Sequence, residues 1–365
     1  MKKQTKTVKP MTREKFIRRI LIWTFAAFFV IAITFLSIRI GVVMSEERDR
    51  KPATTTTSLN VLNWTSYIPR EVIRGFEQEY NVKVNYGTYS SNEELLAKLT
   101  ASPAGTYDVV FPSDYLVSIL SERGDLQKLD LSQISNLKNI DEKFLHQPYD
   151  DGNVFSLPFL LATTVILYNK DKTGEIKSYQ DLARTELKND LVLLDDERII
   201  IGATLLATGH DMNDVFSGAL ADASRYYNEL RPNIKAYDSD SPKTFFMTDE
   251  VAAGLIWNAE AILAQEENPA LVSVYPDEGF ALSMDNYVIM KGSRNTAAAY
   301  AFINYLMRDD VARTIVESYP YISPIKNASN INESEIEMIF SKGSYVKNLS
   351  KDETKRLDHL WAEYK

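Results

Sequence analysis

An α/β fold is the fold class that this sequence predicts, and three observations support it. Strand-like and helix-like segments alternate along residues 59–365, which is the pattern of a sheet flanked by helices. These residues have the composition of a folded protein and are numerous enough to form two lobes. Two predicted strands end in turns with hydroxyl and aromatic side chains, and such turns line the ligand crevice of open α/β sheets.

The N-terminal part of the chain combines a basic segment with a long apolar run. Residues 1–19 hold eight cationic side chains and one anionic side chain, whereas residues 20–38 hold no charge. At about 1.5 Å per residue, the apolar run spans about 28 Å of helix, close to the hydrocarbon thickness of a bilayer. We therefore predict a cytoplasmic basic segment at 1–19, a transmembrane anchor at 20–43 and a linker at 44–58. The positive flank places the N-terminus in the cytoplasm and the later residues outside the cell.

A cleaved signal peptide is the alternative interpretation of this segment. Its apolar region would span about 7–15 residues, and small residues would mark the cleavage site. The longer run and the poor cleavage site at residues 41–45 favour an uncleaved, single-pass anchor in the cell membrane. Because the chain has no cysteine, the sequence predicts neither a disulfide nor a lipid on an N-terminal cysteine.

The charge of the chain bears on its partners. The whole chain has a net charge of −9, and residues 1–19 carry +7, so residues 20–365 carry −16. An acidic outer domain disfavours nucleic acid and anionic lipid as partners and suits a cationic ligand. The sequence indicates no cofactor.

The elements of the outer domain are assigned from periodicity, turn residues and helix caps. The predicted strands are 59–62, 82–86, 107–111, 163–168, 191–194, 253–258, 272–275, 280–284 and 287–290. The predicted helices are 69–80, 91–99, 115–122, 178–182, 199–208, 259–265, 296–307, 311–319 and the tail 333–365. Pro69 suits a helix start because the first turn has no use for its missing N–H. Ser91 and Ser113 are candidate N-caps, and Asp285 falls at the expected break between the last two strands.

Four short motifs occur along this domain in a characteristic order. They are Asn-Trp-Thr-Ser-Tyr-Ile-Pro at 63–69, Tyr-Asp-Val-Val-Phe-Pro-Ser at 107–113, Ile-Trp-Asn at 256–258 and Met-Asp at 284–285. In this order the chain resembles the spermidine/putrescine-binding proteins of polyamine ABC importers, over about residues 59–365. The resemblance implies an extracellular or periplasmic solute-binding protein that closes on a polyamine and delivers it to a membrane permease.

The resemblance also implies a two-lobed, periplasmic-binding-protein-like (type II) α/β fold. By similarity, lobe one takes residues 59–161 plus 285–331, and lobe two takes residues 162–284 plus 332–365. Ligand would lie between the lobes and favour closure through contacts that only the closed form offers.

A polyamine needs carboxylate or carbonyl acceptors for its ammonium groups and flat apolar walls for its methylenes. Aromatic rings serve both purposes through burial and cation–π attraction. The resemblance assigns the walls to Trp64, Tyr67, Trp257 and Tyr321, the ammonium-binding acids to Asp196 and Asp285, and the hydroxyl groups to Thr65, Ser113 and Tyr115. Ser66 lies within the first motif, and Glu260 falls where some putrescine-selective relatives carry an acid.

The chain departs from the spermidine-binding pattern at four positions. Ser66 and Ile199 stand where that pattern has carboxylates, Ser283 where it has a tryptophan, and Val346 where it has a glutamine. Each missing carboxylate removes a charge-assisted hydrogen bond of about 1.5–3 kcal/mol. A smaller or less charged amine, or another small solute, is therefore an open alternative.

Other classes of protein remain as alternatives. A ligand sensor could use the same fold, because fold does not determine function. An extracellular hydrolase is disfavoured, since His146, His210 and His359 lack metal-site spacing and the chain has no GxSxG motif. The acids at 195–197 also suit the start of a helix, and whether Asp195 or Asp196 belongs to the site stays open by one residue.

Overall fold

The computed structural model describes residues 57–365. The predicted basic segment, the predicted anchor and all but the last two residues of the predicted linker lie outside the described residues. Within residues 57–365, every helix is too short or too polar to cross a membrane.

Strands and helices alternate along the described residues. The strands are β1 (Ser58–Trp64), β2 (Lys83–Tyr89), β3 (Val109–Val110), β4 (Ser156–Asn169), β5 (Leu191–Leu193), β6 (Ile234–Tyr237), β7 (Ala253–Trp257), β8 (Leu271–Val274), β9 (Phe280–Ile289) and β10 (Gly343–Tyr345). The helices are α1 (Arg70–Tyr80), α2 (Asn92–Ala101), α3 (Asp114–Glu122), α4 (Lys170–Thr173), α5 (Tyr179–Leu182), α6 (Glu197–Ala207), α7 (Ser217–Leu230), α8 (Lys243–Met247), α9 (Asn258–Glu267), α10 (Thr296–Leu306), α11 (Asp309–Ser318), α12 (Glu333–Lys342) and α13 (Lys351–Tyr364).

The strands form one continuous path in two halves. The order is β2-β1-β3-β9-β4-β7-β5-β6, with β10 on β9 and β8 on β4. Strand β4 joins the halves, because its first part pairs antiparallel with β9 and its second part pairs antiparallel with β7 and β8. Strands β1, β2 and β3 are parallel in the first half, and β5, β6 and β7 are parallel in the second.

Separate hydrophobic cores support the two halves. The core of the first half includes Phe76, Phe111 and Phe302, and the core of the second includes Leu193, Leu205 and Tyr227. The tail contributes to both, because α12 packs on the first core and α13 on the second. The lobe boundaries stay a prediction; those at 161/162 and 284/285 fall inside β4 and β9.

Three predicted strand ends were wrong. Strand β1 continues through Asn63, which is fully buried and pairs with Thr88 of β2. Strand β4 is one strand of 14 residues that includes Pro158. The pairing with β9 shifts register next to this proline, where the strand tolerates a residue that has no N–H to donate. The expected break at Asp285 is absent, and β9 runs through it in register with Leu160 of β4.

Two predicted features of the helices were also wrong. The tail is not one helix, since β10 separates α12 from α13 and pairs with β9. Ser113 occupies the N-cap position of α3 but makes no side-chain cap bond, because its hydroxyl is used elsewhere. The cap predicted at Ser91 is present, and its side chain accepts the backbone N–H of Glu94.

Candidate functional site

The first group of site residues gathers around Asp285 in the middle of β9. This carboxyl group is only 2% exposed and accepts a hydrogen bond of 2.7 Å from the Ser113 hydroxyl. The Tyr67 hydroxyl and the Trp64 indole also lie near it, and both act to lower its pKa. The fold thus brings together residues from the β1–α1 turn, the β3–α3 turn and β9.

Aromatic rings enclose this carboxyl group. The centroid of the Tyr67 ring lies 4.7 Å from that of Tyr321 and 6.1 Å from that of Trp64. The Trp64 indole N–H donates to the backbone oxygen of Phe111 at 3.0 Å, and the other side of the indole packs on Tyr89 at 4.7 Å. Trp64 therefore has a fixed orientation, although part of its surface stays exposed.

Burial controls the protonation of Asp285. Desolvation raises the pKa of this carboxyl to about 7, although hydrogen bonds from Ser113, Tyr67 and Trp64 act to lower it. A bound cation would favour the ionised form, so Asp285 is poised to lose its proton when a cation arrives.

Ser283 extends this group in a way that the sequence did not predict. Its hydroxyl donates to the Ser113 hydroxyl at 3.3 Å, which in turn donates to Asp285. The position where the spermidine-binding pattern has a tryptophan therefore supplies a hydroxyl that supports Ser113, which bonds to the carboxyl group. Alternation along β9 placed Ser283 and Asp285 on the same face of the strand, and this was the available signal.

Thr65 and Ser66 lie at the exposed rim of the first group. The Thr65 hydroxyl donates its hydrogen to the backbone oxygen of Tyr89 at 3.3 Å. This hydroxyl can therefore offer a ligand only its oxygen as an acceptor. Ser66 is exposed and has a backbone φ of 56°, which its tight turn between β1 and α1 requires. The described contacts do not bring Ser66 to Asp285.

A second group of charged residues forms where α2, α3 and α6 begin. The Tyr115 hydroxyl donates to a Glu93 carboxylate oxygen at 3.1 Å. Burial, together with the negative charge of Glu93, raises the pKa of Asp196 to about 6, although the backbone N–H of Ile199 acts to lower it. Burial likewise raises the pKa of Glu197 to about 7. Arg198 supplies the opposing cation in this group and donates to the backbone oxygen of Lys347 at 2.9 Å.

Asp196 is also the N-cap of α6, in agreement with the prediction that the acids at 195–197 suit the start of a helix. One of its carboxylate oxygens accepts the backbone N–H of Ile199 at 3.0 Å. Asp195, in contrast, is exposed and contacts the Lys365 ammonium at 2.6 Å. Of the two neighbouring acids, Asp196 is therefore the one that faces Tyr115 and Glu93.

A third group joins the start of α9 to the first group. Trp257 ends β7, is partly exposed, and packs against the cores of both halves. Glu260 lies in the first turn of α9, where burial raises its pKa and one carboxylate oxygen lacks a hydrogen-bond partner. Its charge also raises the pKa of Tyr321, so Glu260 and the first group interact electrostatically.

Sequence reasoning missed Glu93, Arg198 and Ser283. Glu93 and Arg198 lie in the first turns of α2 and α6, where charged residues are common and carry no distinct signal. The fold brings the starts of α2 and α6 close to Tyr115, and only this proximity shows that Glu93 and Arg198 belong to one group. Chemically, the three groups offer carboxyl oxygens beside aromatic faces, which is the environment that an alkylammonium ion requires.

Comparisons with known proteins identify the family of this chain. A family model described as bacterial extracellular solute-binding protein matches residues 71–338. The spermidine/putrescine-binding periplasmic protein of Salmonella typhimurium is 35% identical over 286 residues, which cover 78% of this chain and 82% of that protein. The putrescine/cadaverine-binding protein of Pseudomonas aeruginosa is 28% identical, over 86% of this chain and 95% of that protein.

Solved structures confirm the predicted fold class at the level of a periplasmic-binding-protein-like α/β fold. The spermidine/putrescine ABC transporter substrate-binding protein of Streptococcus pneumoniae superposes with a TM-score of 0.74 at 30% identity, over 84% of this chain and 98% of that one. The predicted resemblance is likewise confirmed. With its matched length, its fold and the grouping of its carboxyl and aromatic side chains, this chain belongs to the family of bacterial extracellular solute-binding proteins.

Proposed function

We propose that this protein is the substrate-binding component of an ABC importer and that its substrate is a di- or polyamine. The observation that carries the proposal is Asp285, a buried carboxyl group framed by Trp64, Tyr67 and Tyr321. A buried acid is costly unless it is neutralised or paired, so a site that retains one suits a cationic ligand. The relatives from Salmonella typhimurium and Pseudomonas aeruginosa are named for binding spermidine, putrescine and cadaverine, which supports this ligand class.

Three acids are available for ammonium groups at separate places in the proposed site. Asp285 would hold one end of the ligand, and Asp196 or Glu260 would hold the other. Trp64, Tyr67, Trp257 and Tyr321 would cover the methylene groups between the ends. Ile199 and Val346 are buried apolar side chains and offer no acceptor, so we expect a diamine to bind better than spermine.

The charge state of Asp285 gives a testable pH dependence. Burial raises the pKa of the Asp285 carboxyl to about 7. A bound ammonium lowers this pKa, so binding near pH 7 releases protons. Affinity therefore falls as the pH drops below 7, by up to about tenfold per pH unit for one linked proton. Titration calorimetry at pH 7 in two buffers of different ionisation enthalpy measures the released protons. Equal heats in both buffers would contradict the proposed role of Asp285.

The proposed importer includes a permease in the membrane, to which the ligand-closed form would dock. The same proposal places residues 57–365 outside the cell, with residues 20–43 as an uncleaved anchor. The apolar run at 20–38 supports the anchor, and the family's extracellular character supports the location.

The anchor has its own test. After alkaline carbonate washing, we expect the full-length chain to remain in the membrane pellet, because a spanning helix resists extraction that removes surface-bound proteins. Intact mass spectrometry of the same sample should give the complete chain. Release of a product that lacks about 44 residues would instead demonstrate signal-peptide cleavage.

A further inference from the structure

A second arrangement of aromatic and acidic side chains lies outside the candidate site. Strand β6 ends at Tyr237, helix α13 carries Trp361, and Asp195 precedes the N-cap of α6. The rings of Tyr237 and Trp361 are nearly perpendicular, at 83°, with centroids 5.8 Å apart. We call Asp195, Tyr237 and Trp361 the ammonium cage.

The cage already holds an ammonium group, that of Lys365. The Lys365 Nζ lies 3.6 Å from the centroid of Tyr237 and 4.9 Å from the centroid of Trp361. It also lies 2.6 Å from an Asp195 carboxylate oxygen. Two aromatic faces and one carboxylate therefore surround a single primary ammonium, which is the same set of contacts that recognises alkylammonium ligands.

The Tyr237 wall of the cage is held in place by its own partners. The Tyr237 hydroxyl hydrogen-bonds to the Tyr227 hydroxyl at 2.5 Å, and the Tyr227 ring stacks on Tyr364 with centroids 3.5 Å apart. The occupant is less firmly held, because the Lys365 side chain is 35% exposed and Asp195 is 53% exposed. The Lys365 ammonium is therefore accessible to solvent, and the Tyr237 wall is held by contacts that do not involve it.

From this geometry we infer that the cage is a second binding site for a primary alkylammonium group, with Lys365 as its tethered occupant. The Lys365 side chain is chemically an n-butylammonium group, so the end of a di- or polyamine satisfies the same contacts. A tethered ammonium competes with free amine for the cage, so free amine needs a higher concentration when Lys365 is present. This inference does not depend on ligand binding at Asp285.

The experiment uses n-butylammonium chloride and the indole N–H resonance of Trp361, assigned by its loss in Trp361→Phe. In Lys365→Ala we expect a saturable shift of this resonance with a midpoint on the order of 10 mM, as for a weak site near −3 kcal/mol. In the wild type the midpoint should be higher than in Lys365→Ala, because Lys365 competes. Adding Asp195→Asn to Lys365→Ala should abolish the saturable shift.

Controls separate the possible outcomes. n-Butanol tests the apolar chain without the charge, and potassium chloride tests screening without the alkyl chain. In Lys365→Ala, a Trp361 resonance that does not shift with n-butylammonium up to about 100 mM, or that shifts equally with potassium chloride, overturns the inference. If Lys365→Ala loosens α13, Lys365→Gln keeps a side chain of similar reach and gives the same test. Repeating the titration in Asp285→Asn separates the cage from the candidate site, since only binding at the latter depends on Asp285.

Discussion

Asp285→Asn is expected to weaken diamine binding at least tenfold, which corresponds to about 1.4 kcal/mol or more. The amide keeps the size of the side chain and can still accept the hydrogen bond from Ser113, but it cannot supply a negative charge to an ammonium group. Because the carboxyl is only 2% exposed, water screens its charge weakly and the loss should be large. Titration calorimetry with putrescine and cadaverine measures the change. Wild-type affinity in the variant would remove Asp285 from the site.

The same variant should not destabilise the empty protein. Since burial raises the pKa of Asp285, the folded state is favoured by protonation and loses stability as the pH rises through about 7. Raising this pKa from 3.8 to about 7 costs at most about 4 kcal/mol above pH 7, at about 1.4 kcal/mol per pH unit. Ligand-free Asp285→Asn should therefore melt at or above the wild-type temperature at pH 8, with a smaller difference at pH 5.

Asp108→Asn is the matched control for these measurements. Asp108 is also fully buried, but its carboxylate accepts hydrogen bonds from the backbone N–H of Asn60 and from the hydroxyl of Ser293. Its loss should reduce stability while leaving the affinity of the folded protein unchanged. Equal losses of affinity in both variants would indicate a general effect of removing a buried acid.

Trp64→Ala is expected to reduce diamine affinity by about ten- to a hundredfold. The indole lies beside Asp285 and is held by its bond to the Phe111 oxygen, so its face is already positioned for a ligand. Its removal forfeits a cation–π contact of about 0.5–2 kcal/mol and the burial of methylene groups at about 0.8 kcal/mol each. Calorimetry with the same diamines measures the loss.

Trp64→Phe and Trp361→Ala complete this comparison. The phenylalanine variant keeps an aromatic face without the indole N–H, and we expect it to retain more affinity than the alanine variant. Trp361→Ala removes a tryptophan from the ammonium cage, so tight diamine binding should persist. A change of less than about twofold in Trp64→Ala would exclude Trp64 as a wall of the site.

Local signals were enough to predict most elements of the fold. Pro69 and Ser91 mark the starts of α1 and α2 because their effects act within one helical turn. The sequence pattern predicts a break between two strands at Asp285. In the structure β9 is continuous, and Ser113, 172 residues away in sequence, donates to this acid. No local pattern contains such a partner.

In the candidate site, too, the residues could be predicted from the sequence, whereas the contacts between distant parts of the chain could not. The aromatic and acidic residues of the first group were predicted by resemblance, and the fold brings Trp64, Tyr67, Tyr321, Ser113 and Asp285 together. The role of Ser283 was not predicted, because it depends on a contact across two strands. The roles of the predicted residues in ligand binding remain proposals that the variants above test.

The most direct test of the central claim is calorimetric titration of residues 55–365 with putrescine, cadaverine, spermidine and spermine. The account predicts saturable binding of at least one diamine, with protons released near pH 7 and with affinity lost in Asp285→Asn. It also predicts that spermine binds more weakly than the best diamine. The absence of binding heat with all four amines at millimolar concentration, in two buffers, would contradict the account.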